Sequence, residues 1–423
     1  MITRRNFNKL SLGSFGLIFC PNILYAQNYS GPINWVGGSF LSSASDIEKN
    51  FPITKPASEI LVNENNSTFL NKYLINKLKS DPISNIDLNL GGYAEGAELA
   101  LTFGFSAEFD FGKFDDETDN TSIYLIYSFG QSLLYNPKSR IIVSSVPVRH
   151  IAPHVVKKDE IKNFKNIKVE LMKRAFHNQE TPNQTYIQQF RNMLQKQSFT
   201  KKEWLGRKPK VTDIILPDNE NLYKNFGLSK EKFKEFLGQS ATFAFGYKLN
   251  SPIIPYTKTK GLGLTTIMRF NAATKLYQKV ATKLPNPDLE IHLIHQGWEF
   301  VEEPLQENAK NVLNVQLGMG IQLKVIDTFE EEEIYNQSFF ASKQYLENND
   351  KVMRSDAATV CELTEALLER IFQSVIDENY RINLIKGDQV ESGLYSAFFQ
   401  LDNENTDEVI SQSKKFVNSL PRV

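Results

Sequence analysis

Residues 99–111 read Leu-Ala-Leu-Thr-Phe-Gly-Phe-Ser-Ala-Glu-Phe-Asp-Phe. Leu99, Leu101, Phe103, Phe105, Ala107, Phe109 and Phe111 fall on alternate positions, with Thr102, Ser106, Glu108 and Asp110 between them. A period of two is that of a strand, and one apolar face with one polar face is that of an antiparallel sheet lying on a core. The polar turn Asp115 to Asn120 reverses the chain into Ile123 to Tyr135, whose odd residues again point inward, and Ile141 to Val148 completes a meander. Both long runs exceed the usual strand of about five or six residues.

Outward from this meander, Asn34 to Phe40 reads as an opening strand. Ser67 to Leu78 has helical spacing through Phe69, Leu70, Tyr73, Leu74 and Leu78, Asp81-Pro82 breaks it, and Ile86 to Tyr93 alternates. Lys157 to His177 and Gln184 to Gln195 read as helices, and the polar stretch Gln195 to Pro209 reads as a connection. The second half predicts a similar order. Thr242 to Leu249 is expected to open it as a strand, Ala272 to Leu284 to be helical, and Leu289 to Trp298 to alternate. Val315 to Val325 and Ile334 to Ala341 continue a meander about the acidic turn Glu330 to Glu333. A helix follows with Ser355 as N-cap and Val360, Leu363, Leu367, Ile371 and Val375 as its stripe. A strand Arg381 to Lys386 and a helix around Asp407 to Val417 close the chain.

Three residue matches carry the reading of an internal duplication. Gly92-Tyr93 and Gly297-Trp298 lie 297 − 92 = 205 apart, Lys77-Leu78 and Lys283-Leu284 lie 283 − 77 = 206 apart, and Gly130-Gln-Ser-Leu133 and Gly320-Ile-Gln-Leu323 lie 320 − 130 = 190 apart. The expected fold class is α+β: two duplicated domains, over 27–200 and 210–423, each a mostly antiparallel curved sheet with long hairpin strands packed by helices in the order β-α-β-β-β-α. In that order of elements the unit resembles the periplasmic α/β domains of outer-membrane assembly proteins, such as the curli secretion subunit and the amino-terminal domain of TolB. The resemblance is one of element order and implies an envelope setting; a shared fold leaves function open.

The amino terminus predicts the compartment. Thr3-Arg4-Arg5-Asn6-Phe7-Asn8-Lys9 has the form of a twin-arginine export address, with Arg4, Arg5, Phe7 and Lys9 as the recognition residues. A short, broken apolar stretch follows to Tyr25, and Ala26 marks the expected cleavage, so residues 1–26 read as a signal peptide and the protein as periplasmic. The full chain of 423 residues carries 48 basic and 49 acidic residues; removing Arg4, Arg5 and Lys9 leaves 45 against 49, a charge of about −4. That balance is no nucleic-acid footprint. One cysteine, Cys361, remains beyond the signal, which excludes an internal disulfide and a cysteine-ligated cluster.

Candidate chemistry is sparse. His292 and His295 sit three apart in an alternating run and so point to opposite faces. His150 and His154 supply two ligands where a catalytic zinc takes three. The loop Lys258 to Thr266, expected to lead into a helix, lacks the spacing of either standard phosphate fingerprint. Glu330 to Glu333 reads as a solvated turn and Cys361 as a small buried hydrophobe. No catalytic, metal or cofactor site is therefore expected. The reading is of a non-enzymatic scaffold or binding subunit of a cell-envelope assembly, with an envelope protein or further copies of itself as partner. The alternative is a periplasmic enzyme or small-ligand binder with its site between the two repeats.

Overall fold

The computed structural model describes residues 31–42, 46–64, 70–84, 86–91, 94, 96–116, 120–162, 165–176, 185–196, 207–219, 222–223, 229–257, 264–271, 276–304, 312–348, 356–392, 395–402 and 405–420. Arg4, Arg5, Phe7, Lys9 and Ala26 lie outside these residues, as do Gly92, Tyr93 and Ser355. The first span holds β1 (Ile33–Phe40), α1 (Ile47–Asn50), α2 (Thr54–Glu64), α3 (Leu70–Ser80), β2 (Leu88–Asn89), β3 (Leu99–Asp116), β4 (Thr121–Tyr135), β5 (Ile142–Lys157), α4 (Lys158–Ile161), α5 (Ile167–Phe176) and α6 (Tyr186–Lys196). The second opens with β6 (Pro209–Ile215), α7 (Lys230–Leu249), β7 (Leu264–Asn271) and β8 (Leu276–Lys283). It continues through β9 (Leu289–Pro304), β10 (Val312–Asp327), β11 (Glu332–Asn348), α8 (Asp356–Ile376), α9 (Glu378–Lys386), β12 (Asp388–Ser392), β13 (Tyr395–Asp402) and α10 (Thr406–Ser419). The fold is α+β.

Two sheets form. The first runs β5-β4-β3-β1-β7-β8 with β2 beside β1, and the second runs β12-β13-β11-β10-β9-β6. Each contains the same four-strand path, an opening strand parallel to the first strand of an antiparallel meander: β1 on β3, and β6 on β9. Even the irregularities recur. The register shifts between Trp35 and Gly37 in β1 and between Val211 and Asp213 in β6, so the bulged residues Val36 and Thr212 lie 212 − 36 = 176 apart, as do the strand starts, 209 − 33 = 176. A second bulge follows Phe105 in β3 and His295 in β9, 295 − 105 = 190. These are correspondences of topology and pairing, and they make no statement about descent.

The same pairing corrects the residue matches read from the sequence. Phe105 pairs with Gly130 and His295 with Ile321, so β10 follows β4 at 321 − 130 = 191, and Gly320 is one residue out of step with Gly130. In a strand one residue is a change of face. Lys77 lies in a helix and Lys283 at the end of a strand, which removes that match altogether.

Three element assignments change as well. Thr242 to Leu249 belongs to α7, which Ser229 caps through its side chain to Lys232 N, and which is buried from Phe236 through Gly246 without a break. A helix buried all round has no polar stripe, so its periodicity is lost. Leu276 to Lys283, expected to be helical, is β8, paired along its length with β7 rather than packed by one face; Leu264, following the glycine loop, likewise begins a strand. Arg381 to Lys386 lies in α9, where Asp377 accepts from Tyr380 N as an N-cap.

The layers run helix, sheet, helix, sheet. Helices α2, α3, α5 and α6 cover one face of the first sheet, meeting Leu99, Leu101, Phe103 and Phe105. Past the bulge at Ser106 the alternation inverts, and Ala107, Phe109 and Phe111 turn to the opposite face, with Leu125, Tyr127 and Phe129 of β4. There they meet α7 and α8, whose far sides pack on the inner face of the second sheet through Ile291, Leu293, Leu317, Ile321 and Leu323. The odd positions of 99–111 therefore do not share one face, and both faces of β4 are buried. No described element lies over the outer face of the second sheet, where Ile215, Val301, Phe340 and Leu346 are exposed.

Candidate functional site

The densest chemistry lies at the seam between the first sheet and α7/α8. Arg149 pairs with Phe129 across β4 and β5, and so points to the face that Ala107, Phe109 and Phe111 occupy. Its Nη1 lies 2.9 Å from Glu365 Oε1 and its Nη2 3.0 Å from Glu369 Oε1. Lys248 Nζ closes the second carboxylate at 3.0 Å from Glu369 Oε2. Ser240 donates to Glu365 Oε1 at 3.2 Å, and the guanidinium lies 4.2 Å from the centroid of the Phe243 ring. The helix supplies Glu365 and Glu369 one turn apart, which lets one planar guanidinium meet both.

Two acids and two bases balance, with Glu365 largely out of water and Glu369 and Lys248 at the solvent edge. Burial pushes the Glu365 carboxyl up to about 7, against the pull of Arg149 and the Ser240 hydroxyl. Burial also draws Arg149 down, and Glu365 and Glu369 outweigh it, so the guanidinium is raised. The hydroxyl of Tyr127, wholly buried beside this group, finds no hydrogen-bond partner among the described residues, and burial raises it well above its ordinary range. Cys361, one turn before Glu365, is 0% exposed, and burial followed by the two nearby glutamates holds it as a thiol. Glu365 is the buried member of the group, while Glu369 and Lys248 are each about a quarter exposed at its rim. What the arrangement does is fix two layers in one relative position, because a buried ion pair tolerates little displacement before its desolvation is uncompensated.

The histidines fall elsewhere. His295 packs against Phe233 and Trp298 on the inner face of β9, its Nδ1 accepting from Gly297 N at 2.9 Å, and burial lowers it to about 3. His292 turns outward, its Nε2 3.2 Å from Glu290 Oε2. His150 packs against the Tyr186 ring at 5.5 Å; the side chain of His154 lies outside the description. Among the described residues no three His, Cys, Asp or Glu converge as a metal set. Glu330 and Glu331 occupy the turn before β11, where Asp327 accepts from Phe329 N and Glu330 N. The loop 258–263 lies outside the described residues. Two small pockets, one apolar beneath Trp35, Phe103 and Phe190 and one at the seam beside Ser144 and Arg207, have room for little more than a water.

Arg149, Glu365, Glu369 and Lys248 were invisible as a set in the sequence, where 365 − 149 = 216 residues separate the central pair. The signal was there singly. Arg149 interrupts an apolar strand after Val146 and Val148, and Glu365 interrupts the stripe of α8 between Leu363 and Leu367. A charge in the middle of an apolar pattern asks for a buried partner.

No family model, curated protein or solved structure matches the chain. Among the described residues no helix is long and apolar enough to cross a membrane.

Proposed function

We propose that the protein is a periplasmic scaffold or binding subunit of a cell-envelope assembly, acting without catalysis and exported through the twin-arginine route. The observation that supports this most directly is the contrast between the seam and the outer face of the second sheet. The seam is pinned by the Arg149–Glu365 pair with Glu369 and Lys248 at its rim, whereas strands of sixteen and seventeen residues, β9 to β11, present a face that no described element covers. A rigid body with one long open sheet face is suited to holding a partner in a defined orientation. In-cell crosslinking of the exported protein, followed by purification and mass spectrometry with an absorbance spectrum of the same sample, tests the reading. Stoichiometric envelope partners or self-crosslinks on a colourless protein are expected. A cofactor-bearing protein crosslinked to nothing would overturn it.

A further inference from the structure

The molecule already contains one example of what such a face receives. The face of the first sheet that carries Ala107, Phe109, Tyr127 and Arg149 takes the helices of the second span, α7 and α8. By the pairing correspondence, Phe129 opposite Arg149 becomes Gly320 opposite Phe340, since 320 − 129 = 340 − 149 = 191. Phe340 is an exposed aromatic on the uncovered face of the second sheet, standing where Arg149 anchors the helices below. The helices of the first span, α2, α3, α5 and α6, hold the place in their unit that α7 and α8 hold in theirs, and no described element lies over their outer side.

Charge makes the two open surfaces complementary. Register puts Asp213, Glu290, Glu299, Glu303, Glu333 and Asp402 on the outer face of the second sheet, against Lys324 and the nearly buried Lys210. The helical layer at the other end carries Lys72, Lys77, Lys79, Lys173 and Arg174 against Glu170, while Lys168 is tied down to Asp110 of β3 and Lys55 to Glu48 and Glu59. Local pairs, Lys173 with Glu170 at one end and Lys324 with Glu333 and His292 with Glu290 at the other, leave Lys72, Lys77, Lys79 and Arg174 facing Glu299, Glu303 and Asp402. A chain near neutrality overall is thus basic at one pole and acidic at the other.

We infer that the occupant of the second sheet's outer face is the basic helical layer of a second copy of this chain, so that copies associate head to tail. The inference rests on the scaffold reading and names its partner. Such a contact is heterologous: each copy keeps one free pole, and the series runs on as a filament or closes as a ring. Opposite charges carry the contact beside the exposed apolar residues of the sheet, so it weakens as salt screens it.

Sedimentation of the exported protein over a range of concentrations, at low and at about tenfold higher salt, reads this directly. Mass rising with concentration beyond a dimer at low salt, and falling to that of the monomer at high salt, is the expected result. Reversing the acidic pole (E299K with E303K) or the basic pole (K72E with K79E) abolishes association in each variant alone. Mixing the two restores it, because the reversed sheet of one now meets the reversed helices of the other. Unchanged unfolding midpoints show that both variants fold. A monomer at every concentration in low salt, or a mixture that stays monomeric, overturns the inference. In that event stoichiometric in-cell crosslinks to a different envelope protein would leave the scaffold reading standing, and their absence as well would remove both.

Discussion

The two sheets share a four-strand path with two bulges at corresponding positions, yet β4 at the centre of one is buried on both faces and β10 of the other on one. The sequences differ accordingly. β4 is buried at thirteen of its fifteen residues, while β10 alternates and β9 becomes exposed towards its end. Topology fixes which faces exist; the side chains decide which of them leave water. Arg149 is the sharpest case, since a cation on a buried face requires the carboxylates of a particular helix and so turns a generic apolar contact into a specific one.

Removing that cation has the largest expected effect. Arg149→Ala leaves the buried Glu365 beside Glu369 with only Lys248 and Ser240 for company, and a broken buried pair costs up to about 3–5 kcal/mol. Denaturant unfolding should show the loss. The double variant Arg149→Met with Glu365→Leu, which removes charge from both sides, should lose markedly less. If the two are equally unstable, the seam is held by packing and the ionic group adds no specificity.

Close packing on the first sheet gives the next effect. A β-carbon on Gly130 would lie 2.7 Å from Phe103 Cζ and 3.2 Å from Val148 Cγ2, both inside a buried layer. Gly130→Ala should therefore destabilise by about 1–3 kcal/mol, the range for overpacking. A thermal or denaturant midpoint equal to that of the unaltered protein would mean that this face is looser than it looks.

Two of the perturbed groups of the second span, His295 and Glu365, oppose each other in pH. His295 titrates near 3 when folded and near 6.5 when unfolded, so it contributes stability that is present above about 6.5 and is lost as pH falls towards 3. Glu365 titrates near 7 when folded against 4.5 unfolded, so the folded state gains relative stability as pH falls from about 7 to 4.5. Between 4.5 and 6.5 the slopes cancel. Relative to the unaltered protein, Glu365→Gln should lose stability on acidification by about 1.4 kcal/mol per pH unit, and His295→Leu should gain it by a similar slope. Unfolding midpoints from pH 4.5 to 8 decide the point; parallel profiles for all three proteins would show that neither group titrates as its burial implies.

Much of this contrast was legible in the sequence, and its limits have physical causes. The meander from Leu99 to Val148 and its counterpart from Leu289 to Ala341 showed because apolar and polar residues alternate along β3, β9 and β10 and polar turns separate the strands, and α10 showed because one side of it, at Val409 and Phe416, is buried. Helix α7 did not show, because burial between two sheets removes the polar stripe that marks a helix. Nor did the inversion at Ser106: polar and apolar residues continue to alternate through the bulge, and only pairing with β4 reveals that the strand has turned over. β8 takes its state from a partner, β7, that its own spacing does not announce. The site was least legible of all, since a buried pair is written as two isolated charges until the fold brings them together.

The smallest expected effect tests the openness of the second sheet. Gly318 pairs with Glu299 and Ser342 on its outer face, and a β-carbon there would meet nothing within 4 Å. Its backbone lies outside the left-handed region, so Gly318→Ala should be neutral or stabilising by up to about 1 kcal/mol through loss of freedom in the unfolded chain. The same methyl that disrupts at Gly130 is then harmless at Gly318, which isolates coverage, rather than topology, as the difference between the sheets. Unfolding of dilute, monomeric protein in high salt is the measurement. Destabilisation there by as much as at Gly130 would mean that the monomer covers this face itself, and the asymmetry between the sheets would be lost.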